Sequence, residues 1–548
     1  MQTKSQQIEF PDTVIIYSQS DVEESNGGSN LTFFNDTELT IENDDKFLVK
    51  LSANNDKIKY IKMRWNVKMP VVGAKYLSDD WERSYGTLGF ENIKPNRFMP
   101  WYFMISEKDR TTGYGVKVQP NAMCFWQADP AGLTLFLDVR NGGNGVELKG
   151  KQIVLAEVVS TVYWDTNSFD ATKEFCGVMC QNPLLPDFPV YGSNNWYYAY
   201  GHSSADQIIS DTDYVLEMTK KVDNAPFMVI DAGWQENLTT STTEGGPWRK
   251  GNEKFPNMPN LVNRLKEKGV RPGIWCRPLF NKDSSLPQEW RLPLNNCLDP
   301  SNPEVLEYVA EDIATFCKWG FKLIKHDFST FDLFNRWGFQ CNPLVTQENW
   351  NLYDKSVTNA QALKNLYKTI LASAQHTNTL ILGCNTVGHL AAGLQHISRI
   401  GDDTSGNNWE RTRQIGINAL AFRLPQHKKF FDVDADCVGI LGKIDWKYNK
   451  QWAELVANSG TPLFVSAKPN LMSASEMKDL NEIMVTASKQ DRHIVPNDWE
   501  STDCPSNWHD SEKQYKFDWF ENTGVSFETN PARFATYLSI INHDNADE

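Results

Sequence analysis

The sequence predicts a multidomain α/β plus β protein: an antiparallel β-sandwich over residues 1–185, a (β/α)8 TIM barrel over 186–489 and a small antiparallel β domain over 490–548. Two patterns predict this order. Short alternating apolar runs occupy both ends of the chain, and strand-like apolar runs alternate with helical patterns between them. A chain of 548 residues also exceeds one ordinary hydrophobic core, so several domains are expected.

The first region has the pattern of a β-sandwich. Its alternating runs are separated by turns rich in Asn, Asp and Gly, and they lie at 13–17, 47–51, 61–65, 133–137 and 154–158. Such alternation is typical of antiparallel strands with one buried face. The polar and aromatic segment 78–86 breaks the pattern, so we expect a structured loop there. It is either a surface loop around a half-buried Trp81 or a loop that reaches another domain.

The middle region begins after Pro183, Pro186 and Pro189 and reads as repeated strand–helix units. The strands are predicted at 195–198, 227–231, 271–276, 322–327, 380–384, 398–400, 430–433 and 462–465. Helices are predicted at 205–220, 258–268, 303–318, 359–374, 409–422, 451–458 and 473–489. Eight strands over roughly 300 residues favour a TIM barrel over a doubly wound sheet.

The last region returns to short alternating runs, with Trp499, Trp508, Trp519 and Gly524 among turns. Its apolar run at 535–541 ends only a few residues before the chain does. We therefore expect a small or incomplete antiparallel β domain.

The composition narrows the class of ligand. The chain has 54 Lys and Arg against 69 Asp and Glu, so it offers no basic surface for a nucleic-acid partner. It also has 19 Trp and 18 Tyr. Flat apolar rings beside polar groups suit a sugar site, although a large β-rich protein also buries many aromatic side chains.

Neither a metal nor a cofactor is predicted. The ten Cys are scattered apart from Cys176 and Cys180, and His326, His389 and His396 lack the spacing of metal ligands. No apolar segment is long enough to span a membrane, and the N-terminus lacks the apolar core of a signal peptide. As written, the sequence predicts a soluble cytoplasmic protein; an earlier-removed signal peptide would instead place it in the periplasm or outside the cell.

The segment 320–328 contains the clearest chemical signal. In a strand, residues two apart face the same side, so Lys325 and Asp327 emerge together where the strand ends. The ammonium lowers the pKa of the carboxyl group and keeps it an anion, as a nucleophile requires. The alternative is an ordinary ion pair at a strand end.

Active sites of TIM barrels lie at the carboxyl ends of the strands. Almost every predicted end here carries a carboxylate, a cation, an amide or a Trp, including Asp231, Trp234, Trp275, Lys325, Asp327, Cys384, Asn385, His389, Arg399, Asp402 and Asp403. A single Asp at such a place often caps the following helix. Polar side chains at nearly all of the predicted strand ends indicate an active site instead.

Two carboxylates facing each other across a barrel mouth suit glycoside hydrolysis, in which one attacks the anomeric carbon and the other protonates the leaving oxygen. Asp327 would be the first, and Asp402 or Asp403 the second. Like-charge repulsion raises the pKa of adjacent carboxyl groups, whereas Arg399 lowers it, so the choice between these two stays open here.

These residues resemble the melibiase-type α-galactosidases of glycoside hydrolase family 36 and its clan relative, family 27. The resemblance covers about residues 190–470, and its motifs are Ile230-Asp-Ala-Gly-Trp234, Gly273-Ile-Trp275, Lys325-His-Asp327, Gly383-Cys384 and Arg399-Ile-Gly-Asp-Asp403. It implies a retaining exo-glycosidase that acts on an oligosaccharide or polysaccharide and needs no cofactor.

The resemblance also implies roles for individual residues. Asp327 would be the nucleophile, and Asp403, four residues after Arg399, the acid/base, with Asp402 as its competitor. The implied sugar-binding residues are Asp231, Trp275, Lys325 and Arg399, with Trp234, Cys384, Asn385 and His389 as further candidates. Because loops of the N-terminal domain reach the active site in this family, Asp80 and Trp81 are candidates too.

The sequence departs from the family at Ala232, where a second Asp often binds hydroxyl groups of galactose. Loss of such a carboxylate changes the discrimination between sugars. The alternatives are a β-L-arabinopyranosidase, an α-N-acetylgalactosaminidase, an enzyme that transfers the sugar to another sugar as raffinose synthases do, and a carbohydrate-binding protein without activity.

Overall fold

A computed structural model describes residues 2–236, 245–342 and 344–520. These ranges form two antiparallel sheets, a parallel barrel-like sheet with helices, and a short C-terminal antiparallel sheet. The predicted combination of a β-sandwich and a TIM-barrel-like region is therefore confirmed. The boundaries at residues 185 and 489 remain predictions. Gly524 and the apolar run 535–541 lie outside the described residues.

The N-terminal strands alternate buried and partly exposed residues, as in Thr13–Ser18 and Phe47–Ser52. The strands are β1 (Gln2–Ser5), β2 (Thr13–Ser18), β3 (Val22–Asn26), β4 (Asn30–Phe33), β5 (Thr37–Asn43), β6 (Phe47–Ser52), β7 (Lys57–Trp65), β8 (Lys75–Ser78), β9 (Met99–Pro100), β10 (Tyr102–Glu107), β11 (Arg110–Val116), β12 (Met123–Asp129), β13 (Gly132–Asp138), β14 (Val146–Glu147) and β15 (Ile153–Trp164). One sheet has the order β4-β5-β6-β15-β11-β10-β8 with β1 on β15, and the other the order β3-β2-β7-β13-β12-β9 with β14 on β7.

The barrel strands pair in parallel throughout. They are β16 (Tyr191–Asn194), β17 (Phe227–Ile230), β18 (Arg271–Cys276), β19 (Leu323–His326), β20 (Leu380–Gly383), β21 (Ile397–Arg399), β22 (Asp432–Asp434), β23 (Val438–Ile440) and β24 (Leu463–Ala467). Their order is β22-β21-β20-β19-β18-β17-β16-β24-β23. Only residues 435–437 separate β22 from β23. The chain itself therefore joins β22 and β23, the two edge strands of the sheet. These two short strands together take the place of the seventh strand of an eight-stranded barrel.

The longer helices begin at side-chain caps. The helices are α1 (Ser168–Met179), α2 (Trp196–Ala199), α3 (Ala205–Met218), α4 (Met258–Lys268), α5 (Pro303–Trp319), α6 (Ser329–Phe334), α7 (Asn359–Ala374), α8 (Gly388–Ala391), α9 (Trp409–Thr412), α10 (Asn418–Arg423), α11 (Trp446–Asn458) and α12 (Ala474–Ala487). The short helices α2, α6, α8 and α10 have no side-chain cap. In α5, Asn302 caps the first turn and Pro303 begins the helix. Gly320 ends it with a φ of 98°, a conformation that favours glycine, and so turns the chain into β19.

The structure corrects two predicted elements. Residues 195–198 were predicted as the first barrel strand, but the strand is β16 and the aromatic run after it forms the short helix α2. The side chain of Asn194 accepts a hydrogen bond from the backbone N of Trp196 at 2.8 Å and turns the chain there. The predicted helix 409–422 consists of α9 and α10 joined by a π-helical turn, Arg413–Ile417.

The C-terminal sheet packs against the barrel. It consists of β25 (Val495–Pro496), β26 (Asn507–His509) and β27 (Gln514–Lys516). The indole of Trp499 donates a hydrogen bond to the backbone O of Ala421 at 2.9 Å, and that of Trp409 donates to the O of Trp519 at 2.7 Å. Across the described ranges, no helix is both long and apolar enough to cross a membrane.

Candidate active site

The ends of β17 and β19 are joined by a buried ion pair. The Nζ of Lys325 lies 2.8 Å from the Oδ2 of Asp231, and the side-chain amide of Asn194 donates to the same oxygen at 2.7 Å. The partner of Lys325 is therefore Asp231, whereas the sequence indicated Asp327. Lys325 still lies close enough to Asp327 to lower the pKa of that carboxyl group.

Asp327 directly follows β19 and is held by neutral N–H donors. Its Oδ1 accepts hydrogen bonds from the backbone N of Phe328 at 2.8 Å and of Asn385 at 3.0 Å. Its Oδ2 accepts one from the indole of Trp275 at 3.1 Å. Burial raises the pKa of Asp327, but Lys325, Arg83 and the Trp275 bond outweigh it and leave the pKa below its ordinary value. Asp327 is therefore a fixed anion.

The two carboxylates after β21 have different environments. Asp402 is buried, with its Oδ1 2.8 Å from Arg83 and its Oδ2 3.1 Å from Arg411. The side chain of Asp403 is 38 % exposed, and its Oδ1 lies 2.8 Å from Arg399 and 3.7 Å from Arg83. Asp402 is thus enclosed between two guanidinium groups, whereas Asp403 presents a free side to a ligand.

The charge of Asp403 is set by its neighbours. Burial raises its pKa, but Arg399, Arg83 and Lys325 lower it more, and the result lies well below the ordinary value. Asp403 is therefore an anion at neutral pH. Its negative charge in turn raises the pKa of Asp327, although less than the other neighbours change it.

Arg399 connects several strand ends. Besides Asp403, it contacts Asp436 at 3.0 Å and the Sγ of Cys384 at 3.6 Å. Asp436 also accepts hydrogen bonds from Thr404 N at 2.8 Å and from the hydroxyl of Tyr197. Cys384 therefore contacts a predicted site residue, and Asp436 is the acidic partner that orients Arg399.

The loop after β8 reaches the barrel, both through the residues that the sequence indicated and through their neighbours. Asp80 is partly buried, and its backbone O accepts a hydrogen bond from Arg423 of α10 at 3.3 Å. Trp81 packs on Trp101 in the sandwich at a ring distance of 5.5 Å, and its indole donates to the Oδ1 of Asn342, in the loop after β19, at 2.7 Å. Ser84 pairs with the end of β21: its N donates to the O of Ile400 and its O accepts from the N of Asp402, both at 2.8 Å. This pairing brings its neighbours Glu82 and Arg83 to the strand ends.

The structure also shows the contacts of four further residues that the sequence indicated: Asn385, Trp275, Trp234 and His389. Asn385 and Trp275 donate to Asp327. The indole of Trp234 instead donates to the backbone O of Trp275 at 2.9 Å, in a fully buried aromatic cluster behind the strands. His389 contacts the O of Val116 at 2.9 Å and stacks on a sandwich Trp. Neither Trp234 nor His389 has a hydrogen bond to Asp327 within the described ranges; Trp234 supports Trp275 from behind, and His389 lines a cavity with Arg399.

Sequence reasoning missed an aromatic wall beside Asp327. Phe328 has a φ of 61°, an uncommon conformation for a bulky residue, and its ring lies 4.1 Å from the guanidinium of Arg277. Phe331 stacks on Trp337 at 4.5 Å, and Arg83 lies over the same Trp at 5.1 Å. The available signal was the run of Phe and Trp in 328–339 directly after Asp327.

Among the described side chains, no group of three or more His, Cys, Asp or Glu is arranged to hold a metal ion.

The fold is similar to that of several solved glycoside hydrolases. An α-galactosidase from Thermus thermophilus, in complex with p-nitrophenyl α-D-galactopyranoside, has a TM-score of 0.59 and 16 % identity, and the match covers 89 % of this chain and 99 % of that one. A GH36 α-galactosidase from Geobacillus stearothermophilus has a TM-score of 0.57 and 11 % identity, over 88 % and 71 % of the two chains. A GH31 sulfoquinovosidase from E. rectale has 0.58 and 11 %, over 93 % and 87 %. The sequence matches no family model and no curated protein.

Proposed function

We propose that this protein is a retaining exo-glycosidase that releases a terminal α-galactosyl-like residue from an oligosaccharide or polysaccharide. The observation that carries the proposal is the pairing of a buried, hydrogen-bonded anion, Asp327, with a partly exposed carboxylate, Asp403, at the ends of two barrel strands. The similar fold of α-galactosidases, including one bound to stachyose, supports this substrate class.

Asp327 serves as the nucleophile. Two backbone N–H groups donate to its Oδ1, whereas Oδ2 accepts one hydrogen bond from the described residues, that of the Trp275 indole N–H. A carboxylate oxygen has two lone pairs, so Oδ2 keeps one for the anomeric carbon. Attack of Oδ2 forms the glycosyl–Asp327 ester and breaks the glycosidic bond, and the departing oxygen takes a proton from Asp403. Asp403 then removes a proton from the water that attacks the ester.

Asp403 has to be protonated for the first step, although its ion pair with Arg399 keeps it charged without substrate. A sugar hydroxyl that hydrogen-bonds Arg399 competes for this guanidinium and excludes water from the carboxylate. Both effects raise the pKa of Asp403. Substrate binding therefore favours protonation of Asp403, and this proton is the one that the leaving group needs.

Ala232 favours a second substrate. The residue is buried beside Asp231, and its methyl group offers no hydrogen bond where the resemblance places a hydroxyl-binding carboxylate. A pyranose without the 6-hydroxymethyl group, such as a β-L-arabinopyranoside, needs no such partner.

A panel of aryl glycosides tests the proposal. It contains the α-galactoside, the β-L-arabinopyranoside and the α-N-acetylgalactosaminide, each with the wild type and with Asp327→Asn. We expect cleavage of at least one substrate by the wild type alone, with the first-formed sugar in the same anomeric form as the substrate by NMR. Equal sugar binding by both proteins without cleavage would instead identify a binding protein. Inversion of the anomer would contradict the retaining mechanism.

A further inference from the structure

A buried carboxylate of the sandwich loop, Glu82, contacts the barrel beside the proposed nucleophile. It is 1 % exposed. Its Oε1 accepts hydrogen bonds from the backbone N of Gly338 at 2.7 Å and from the hydroxyl of Tyr85, and its Oε2 accepts one from the side-chain amide of Asn385. The partners of Glu82 thus come from its own loop and from the loops after β19 and β20.

Asn385 contacts both Glu82 and Asp327. Its side-chain amide donates to Glu82, its Oδ1 accepts from the backbone N of Phe331 at 3.0 Å, and its own backbone N donates to the Oδ1 of Asp327 at 3.0 Å. The side chain of Asn385 is fully buried. The fixed side chain and the backbone N–H of Asn385 thus link Glu82 to Asp327 through a single residue.

The packing around Glu82 leaves it little freedom. A Cβ at Gly338 would lie 2.5 Å from the Cγ of Glu82, so the loop after β19 approaches closely only because residue 338 is glycine. On the other side, Ser84 is bonded to the backbone at the end of β21. Glu82 is thus held between the loop after β19 and the carboxyl end of β21.

We propose that Glu82 is a positioning residue that orients Asp327 through Asn385, so that the sandwich domain contributes to the geometry of the barrel's nucleophile. This inference rests on the proposed function for its kinetic consequences, but not for the contacts themselves. It assigns Glu82 no contact with substrate.

The charge of Glu82 determines whether its contacts are satisfied. The two N–H groups that it accepts can only donate, so the carboxylate form matches both. Burial raises the pKa of Glu82 to about 7, although Arg83, Tyr85 and Gly338 lower it; Asp402 contributes a further increase. Tyr85, Cys341 and Tyr367 also face it, and burial raises their pKa values, so they stay neutral. The cavity beside Glu82 is lined further by Asp79, Asp80, His389, Arg399 and Arg423. Burial lowers the pKa of His389 to about 4, so this imidazole is neutral near pH 7. Protonation at mildly acidic pH therefore weakens the link to Asn385.

The test compares pH profiles of kcat/KM for the wild type, Glu82→Gln and Asn385→Ala. In Glu82→Gln, an amide NH2 replaces an acceptor oxygen and faces an N–H donor, so we expect kcat to fall about ten- to a hundredfold at alkaline pH while KM changes little. The wild-type decline near pH 7 should be lost in this variant. Asn385→Ala should reproduce both effects, and the double variant should be no worse than either single one.

Asp312→Asn is the matched control. Asp312 lies in α5, is buried and is paired with Arg249 at 2.6 Å, and burial raises its pKa to about 7 as well. It has no bond to Asp327, so this variant should keep the decline near pH 7. A decline that persists in Glu82→Gln, or additive losses in the double variant, would overturn the inference. Thermal unfolding of each variant separates these outcomes from loss of the folded state.

A readout without substrate separates this inference from the proposed function. In deuterated protein labelled with ¹⁵N-asparagine, Asn385→Ala identifies the backbone amide signal of Asn385. We expect that signal to titrate near pH 7 in the wild type and to stay constant in Glu82→Gln. If the wild type cleaves no glycoside but the Asn385 signal titrates near pH 7 in the wild type and not in Glu82→Gln, the proposed function fails. The inference that Glu82 positions Asn385 then still stands. A signal that does not titrate in the wild type contradicts the link.

Discussion

The carboxyl ends of β19 and β21 present similar residues and hold them differently. At the end of β19, Asp327 is surrounded by N–H donors from the backbone and from Trp275, and Lys325 pairs with Asp231 instead. At the end of β21, Asp403 depends on the guanidinium of Arg399 and keeps an exposed side. Donors built into the backbone cannot leave their carboxylate, whereas a guanidinium can exchange partners with a ligand.

This contrast matches what the two steps of a double displacement require. A nucleophile stays an anion in one orientation, whereas an acid/base gains and loses a proton in each cycle. Fixed N–H donors suit the first role. An exposed carboxylate beside a cation that can bind substrate suits the second. The same contrast separates Asp403 from Asp402, whose two guanidinium partners leave no free side.

The largest effect is expected at Asp327. Asp327→Gly removes the nucleophile, and we expect kcat to fall by about 10⁴-fold or more, which corresponds to about 5.5 kcal/mol. Azide should restore turnover, because it fits the vacated space and attacks from the same face. One displacement inverts the configuration, so NMR should identify the β-azide of an α-galactoside. An α-azide would assign Asp327 another role.

Asp403→Gly should show the next largest loss, about 10²- to 10⁴-fold in kcat for substrates with an alcohol as leaving group. A dinitrophenolate leaves without a proton, so formation of the ester from a dinitrophenyl glycoside should hardly slow. Azide should then yield the α-product, because it attacks the ester after a first inversion. A loss that is the same for both leaving groups would contradict the acid/base role.

Asp402→Asn should act on stability. The change leaves Arg83 and Arg411 without their shared buried carboxylate, and we expect the free energy of unfolding to fall by about 3 kcal/mol or more. A thermal melt measures the loss. The folded variant should retain the leaving-group dependence of the wild type, which Asp403→Gly does not. If Asp402→Asn instead slowed substrates with an alcohol leaving group and spared the dinitrophenyl glycoside, the two roles would have to be exchanged.

Trp275→Phe should have the smallest effect. It removes one donor to Asp327, and loss of a hydrogen bond to a charged group lowers kcat/KM about tenfold. The pKa of Asp327 lies below its ordinary value, so its charge persists until the pH falls through that low pKa. Removing the donor raises the pKa, and the most acidic limb of the kcat/KM profile should move to higher pH.

Trp234→Phe is the matched control for this change, because it removes a buried indole bond to a backbone oxygen and leaves Asp327 its three donors. We expect a loss of stability of about 1 kcal/mol and no movement of the acidic limb. Movement of that limb in Trp234→Phe would show that packing, and not the donor to Asp327, sets it.

Much of the architecture was predictable because it depends on local patterns. Period-two alternation identified N-terminal strands, and apolar runs followed by capped helices identified most barrel strands. The first barrel strand was misplaced because the aromatic residues after Asn194 favour a strand in isolation, whereas the Asn194 side chain turns the chain. The split seventh position was missed because three-residue strands carry too weak a pattern.

The candidate site was also predictable only in part. Strand-end position alone brought Asp231, Lys325, Asp327 and Arg399 into consideration, and the structure places them at the ends of the alternate strands β17, β19 and β21. Within the loop 78–86, the sequence indicated Asp80 and Trp81. Both contact barrel residues. The sequence missed Glu82 and Arg83, which contact Asn385 and Asp402 because Ser84 pairs with the end of β21.

From the order of its residues alone, the chain specifies a β-sandwich, a barrel and the strand ends that carry charge, because strand and helix periodicity are written into neighbouring positions. It does not specify that Lys325 pairs with Asp231, that Asp402 is enclosed while Asp403 is open, or that Glu82 contacts Asn385. These outcomes depend on which oxygen lies nearest to which nitrogen. Such distances exist only after segments some 300 residues apart along the chain have packed together.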